Sequence, residues 1–191
     1  MANLEIDDIL QSQTISGLEL WLTYSFAPEW LADAKAEAGK PAGQIGARRR
    51  EIIFAVAFAE SYLVEWVRDE ILQKNYNKFF EIFPMSEKLS AEDKWKKVPK
   101  TLLKQGLLKA SPSLNCKFWQ DYLTLVQYRN GLIHAVSSSP RGVLPEEAPP
   151  LPSLATLANL KPGWAIQIVI SLVSAFHEAA GTNLPAWLNE K

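Results

Sequence analysis

The chain has 191 residues, 48% of them hydrophobic, enough to bury one substantial core and short for two ordinary domains. A formal net charge of −1 excludes a global basic field that could hold a long nucleic acid by counterion release alone, so any nucleic-acid contact must be local. The single cysteine, Cys116, cannot form an internal disulfide, and the N-terminus is acidic where a secretory signal would be basic and then apolar, so a cytoplasmic location is expected. The most apolar windows, Ile52 to Ala59 and Trp164 to Phe176, fall short of the roughly 18 to 20 apolar residues that a bilayer span needs, and no contact with a membrane is expected.

Apolar residues recur at helical spacing almost throughout, which predicts an all-α fold, a compact helical bundle with one long central helix and additional short ones. In chain order, Leu18 to Phe26 and Pro28 to Ala38 read as short helices, the second opened by its proline and closed at Gly39. Residues 1–45 then form a helical N-terminal extension of a single domain spanning 1–191. "GKPAGQIG" is a loop. The long helix is expected from Ala47 to Phe80, with Ile53, Val56, Ala57, Leu63, Val64, Val67 and Ile71 on one side.

Ser90 followed by Asp93 is a capping-box signal for a short helix that Pro99 interrupts, with a second short helix over Lys100 to Leu108. From Lys117 to Ala135 another helix places Phe118, Tyr122, Leu125, Val126, Arg129 and Ile133 on one face. Ser137 to Ser153 contains five prolines and no helical period, so residues 137–161 read as a Pro-rich loop within the domain. The last helix starts at Pro162, carries Trp164, Ile168, Leu172 and Phe176, and stops near Gly181. There is no internal repeat.

The phosphate-binding, dinucleotide-binding, zinc-protease and paired CxxC motifs are all missing, and neither a metal nor a cofactor is expected. What stands out is "YRNGLIH", Tyr128 to His134, which places an arginine, an asparagine and one of only two histidines in one short segment. Five residues put Arg129 and His134 about 140° apart on an ideal helix. They can face one pocket only if the helix loosens near Gly131 or a second surface closes over its edge. Glu60 is a second anomaly, because it falls on the apolar line of the long helix, seven residues after Ile53 and seven before Val67. A carboxylate there needs a partner or becomes neutral, and Arg129, on the apolar face of its own helix, is the expected partner. Such a pair has a purely structural explanation as well as a functional one.

"RNGLIH" resembles the R-x(4-6)-H motif of the HEPN superfamily (higher eukaryotes and prokaryotes nucleotide-binding), frequently Arg-Asn-x-x-x-His, and Ala55 to Leu72 resembles its long helix, with Glu60 as the acidic residue. The resemblance covers roughly Ala47 to Val136 and the final helix. It implies a small α-helical, metal-independent endoribonuclease, commonly a two-fold dimer that joins two motifs in one groove.

On that resemblance Arg129 and His134 are catalytic, Asn130 orients the arginine or the phosphate, and Glu60 supports Arg129. Cleavage by the ribose 2′-OH needs a base for that hydroxyl, an acid for the leaving 5′-oxygen, and positive charge beside the phosphorane. Histidine serves as either acid or base near neutrality, and arginine hydrogen-bonds two phosphate oxygens. One chain supplies one His134, so a homodimer is expected. An RNA substrate follows, and so does the role of toxin in a toxin-antitoxin or phage-defence system, with a nucleotidyltransferase-like antitoxin as partner. The alternative is a non-catalytic module of the same kind that binds a nucleotide, RNA or a protein.

Among the remaining residues, Lys96, Lys100 and Lys104 would share a helix face if Pro99 permits continuity, either as a solvated face or as an RNA-tracking surface. Arg48, Arg49 and Arg50 read the same way. His177 reads as a partly exposed histidine favoured by a helix C-terminus, Cys116 as an ordinary loop residue, and the seven tryptophans mostly as core.

Overall fold

A computed structural model describes residues 25–72, 82–83, 89–112, 117–137 and 152–189. Among them the fold is all-α, with six α-helices and no strand: α1 (Ala27–Ala38), α2 (Ile45–Val67), α3 (Ala91–Lys104), α4 (Lys117–Ser137), α5 (Leu154–Asn159) and α6 (Trp164–Ala180). A π-helical turn, Arg68–Leu72, continues α2, and a 3-10 turn, Ala186–Asn189, follows α6. No described helix is long and apolar enough to cross a membrane. The expected helix over Leu18 to Phe26, the end of the long helix beyond Leu72, Cys116 and the Pro-rich residues 138–150 lie outside the described residues, apart from Ser25 and Phe26.

The long helix α2 is the central element, packed by α1, α3, α4, α5 and α6. Its buried line runs through Ile52, Ala55, Val56, Ala59, Leu63 and Val67, a repeat of three and four residues that keeps one broad side toward the core. Ile53, Ala57 and Val64, expected on that side, are half-buried at its edge. Helix α1 buries Ala27, Leu31 and Ala34 against α2, so this part of the expected N-terminal extension packs into the core.

Proline does not break α3. One continuous helix of 14 residues carries Pro99 inside it. An interior proline costs about 3 kcal/mol. Burying Trp95, Val98 and Leu102 on one side offsets that cost. The N-terminus is capped as the sequence suggests, Ser90 Oγ accepting from Asp93 N–H at 3.1 Å. Helix α4 is unbroken past Gly131 to Ser137, with Leu132 buried and Ile133, expected inside, 42% exposed. The segment read as a loop up to residue 161 contains α5, whose six residues are started by Ser153 accepting from Thr156 N–H.

Two buried polar sets hold the helices in place. Arg48, grouped above with solvated basic residues, is 1% exposed and paired with Glu51, which is 2% exposed. Its guanidinium donates to the carbonyls of Glu37 at 2.7 Å and Lys40 at 3.2 Å, serving the end of α1, while Glu51 accepts from Ala165 N–H at 3.1 Å at the start of α6. Burial pushes the Glu51 carboxyl up, against the pull of Arg48 and the α6 amides. One ion pair therefore ties three helices together.

His177, expected to be partly exposed, anchors the second set. It is 4% exposed, hydrogen-bonded to Tyr62 Oη, and 2.8 Å from Thr182 Oγ1 through Nδ1. Burial pushes its pKa down, outweighing the backbone hydrogen bonds with Thr182 and Asn183 that favour the charged form. The unfolded chain then binds a proton more readily than the folded one. The stability from neutral His177 is complete above the unfolded value of about 6.5 and is lost as pH falls toward the depressed folded value. Melting temperatures measured from pH 7.5 to 5.5 should fall for the wild type and change less for His177→Gln. Parallel curves would contradict the buried neutral histidine.

Candidate active site

The site is built where α2, α3 and α4 meet. Glu60 faces the gap from the edge of α2, 22% exposed, and both of its oxygens are engaged. Arg129 Nη2 of α4 donates to Oε2 at 2.8 Å, the pairing expected from the two apolar-line anomalies. Lys94 Nζ of α3 donates to Oε1 at 2.9 Å. Two cations around one carboxylate leave the cluster with one net positive charge.

A cavity of about 520 Å³ opens beside this cluster, lined by Glu60, Leu89, Ser90, Ala91, Lys94, Arg129 and Asn130. Three of those residues, Leu89 to Ala91, are the entry to α3, so the positive end of that helix dipole adds to the charge of Lys94 and Arg129. Glu60 takes one of the five N–H donors that a guanidinium carries, through Nη2. Arg129 Nε is buried with no acceptor among the described residues. Tyr122, two turns before Arg129 on the same face of α4, is fully buried, and its hydroxyl also lacks a partner among the described residues. Burial, followed by the Glu60 charge, raises its pKa well above the usual phenol range, so it stays a neutral hydroxyl.

Asn130 lines the same cavity as Arg129. His134 belongs to α4 by its backbone, but its side chain lies outside the described residues. Because α4 does not loosen, position 134 stays about 140° round the axis from Arg129 and about 7.5 Å further along.

Lys96, Lys100 and Lys104 do share a face of the continuous α3, but they do not line the cavity. Lys96 is paired with Glu92 and lies 6.0 Å from the Trp119 ring centroid. Lys94, about 200° round the helix from Lys96, is the lysine that reaches the site. The sequence carries a signal for it: Lys94 follows Ala91 by three residues and precedes Val98 by four, both buried, so it borders the apolar face.

No protein-family model, curated protein or solved structure matches the chain.

Proposed function

We propose that this protein is a metal-independent endoribonuclease of the HEPN type, acting as a toxin or phage-defence effector, with Arg129 and His134 catalytic and Asn130 and Glu60 supporting. The observation that carries the reading is the Glu60, Arg129 and Lys94 cluster, a carboxylate holding two cations at the edge of an open cavity. A scissile phosphate fits that charge. Arg129 offers it further donors while Glu60 fixes the guanidinium, and Lys94 and the start of α3 add positive charge where the phosphorane becomes more negative.

A homodimer completes the chemistry. The unbroken α4 supports it, because one helix does not turn positions 129 and 134 toward the same cavity, whereas two copies related by a two-fold axis bring both motifs to one groove. One His134 then takes the proton of the ribose 2′-OH, and the other protonates the leaving 5′-oxygen. The 2′-oxygen attacks the phosphorus, the bond from phosphorus to the 5′-oxygen breaks, and a 2′,3′-cyclic phosphate remains. A nucleotidyltransferase-like antitoxin is the partner this reading carries with it.

The products test the reading. RNA cleavage should persist in EDTA and leave 2′,3′-cyclic phosphate or 3′-phosphate ends, identified by end-group mass spectrometry. A substrate with a 2′-deoxy residue at the scissile position should stay intact. Cleavage that stops in chelator, or that proceeds without the 2′-OH, contradicts the mechanism.

A further inference from the structure

A second cavity, about 400 Å³, shares the Glu60 and Lys94 pair with the first as part of its lining. Its remaining lining differs in kind: Phe26 just before α1 and Trp30 within it, Ala57, Ser61, Val64 and Glu65 from α2, and the buried Arg68 from the π-helical turn. Ala57, Ser61 and Val64 are spaced by four and three residues, so they form one strip of α2 and give the cavity a floor that is apolar except for one hydroxyl. Phe26 and Trp30 are four residues apart and form an aromatic wall. Phe26 is 44% exposed, one of four large hydrophobics left in solvent among the described residues.

The wall is held rigidly. The Phe26 position that precedes α1 has no capping side chain of its own, and Glu65 supplies the cap from α2. Its carboxylate accepts the Phe26 N–H at 2.7 Å, the Ala27 N–H at 3.0 Å and the Ser25 hydroxyl. Behind the wall, Trp30 stacks on Phe54 with ring centroids 5.8 Å apart and planes 28° from parallel.

We infer that this cavity takes an unpaired nucleobase of the RNA, that of a nucleotide adjoining the phosphate bound at Arg129. The inference rests on the ribonuclease reading and adds to it a preference for single strands. A flat ring placed against Trp30 and Phe26 gains stacking that any base can supply, and Ser61 offers a hydrogen bond to its edge. The Glu60 and Lys94 pair lines both cavities, so base and phosphate sit beside one ion pair, as neighbouring parts of one nucleotide chain require. A base inside a duplex keeps its own stack and does not enter.

The test uses an uncleavable, fluorescently labelled all-deoxy hexanucleotide and an abasic oligomer of equal phosphate count, with affinities for the full chain read by anisotropy. The base-bearing oligomer should bind about tenfold more tightly than the abasic one. Phe26→Ala and Trp30→Ala should shrink that ratio toward one and leave abasic binding unchanged, while Trp30→Phe keeps most of it. Arg129→Ala should weaken both oligomers alike. Melting curves show whether Trp30→Ala stays folded, and Phe26→Ala, at an exposed position, carries the test if it does not. Equal affinities for the two oligomers in wild type, or a ratio untouched in Phe26→Ala and in a folded Trp30→Ala, overturn the base subsite while binding that depends on Arg129 leaves the ribonuclease reading intact. If neither oligomer binds wild type, that reading falls and the base subsite falls with it.

Discussion

Arg48→Ala is expected to lower folding stability by about 3 to 5 kcal/mol, a large fraction of what a domain of this size holds. The substitution leaves Glu51 buried without its cation, and it removes the donor to the Glu37 and Lys40 carbonyls where α1 ends. Glu51 still accepts from Ala165 N–H, so the damage passes from α1 through α2 to the start of α6. Replacing both members, as in Arg48→Met with Glu51→Met, should cost less than the sum of the single changes, because neither charge is then left unpaired. Denaturant unfolding curves of the three variants check this. An Arg48→Ala protein within about 1 kcal/mol of wild type would show that the pair is not what joins these helices.

His134→Ala should reduce RNA cleavage by roughly 10²- to 10⁴-fold, the range for removing a positioned acid or base. The larger consequence concerns mixed dimers. If one His134 is the base and the other the acid, a dimer of one wild-type and one substituted chain has lost one of the two groups and should be nearly inactive. With full subunit exchange and equal dimerisation, activity per total dimer then falls as the square of the wild-type fraction. Two independent sites would give a linear fall, and so remove the shared groove while leaving cleavage itself in place. Sedimentation at micromolar concentration should show the dimer on which the experiment depends.

The parts of this molecule that were legible in the sequence are those written in local patterns. The periodicity of α2 and α6, the Ser90 cap and the end of α6 at Gly181 each depend on neighbours a turn or two away. Glu60 and Arg129 could be paired because each interrupts an apolar line, and an interrupted line announces that a half-buried charge needs a partner. His177 gave no such signal, since its partner Tyr62 is 115 positions away and the burial that lowers its pKa is a tertiary effect. Arg48 was hidden by its neighbours: among three consecutive arginines, only the position of Ile52 one turn later marks which one turns inward. Pro99 misled because local propensity predicts a break, whereas the burial of Trp95, Val98 and Leu102 keeps α3 whole. Glu65 capping α1 from 39 residues away leaves no trace in the local sequence.

Arg129, held by Glu60, is proposed to stabilise the phosphorane of an RNA cleavage reaction. The most direct measurement is the single-turnover rate on an end-labelled, unstructured RNA in EDTA, for wild type, Arg129→Ala and Glu60→Gln, with each fold verified by its melting curve. Wild type should cleave, Arg129→Ala should lose roughly 10²- to 10³-fold, as expected when one transition-state donor is removed, and Glu60→Gln should lose less, because it loosens the guanidinium without taking it away. A folded wild-type dimer that leaves the RNA intact, or an Arg129→Ala protein that cleaves at the wild-type rate, would contradict the claim.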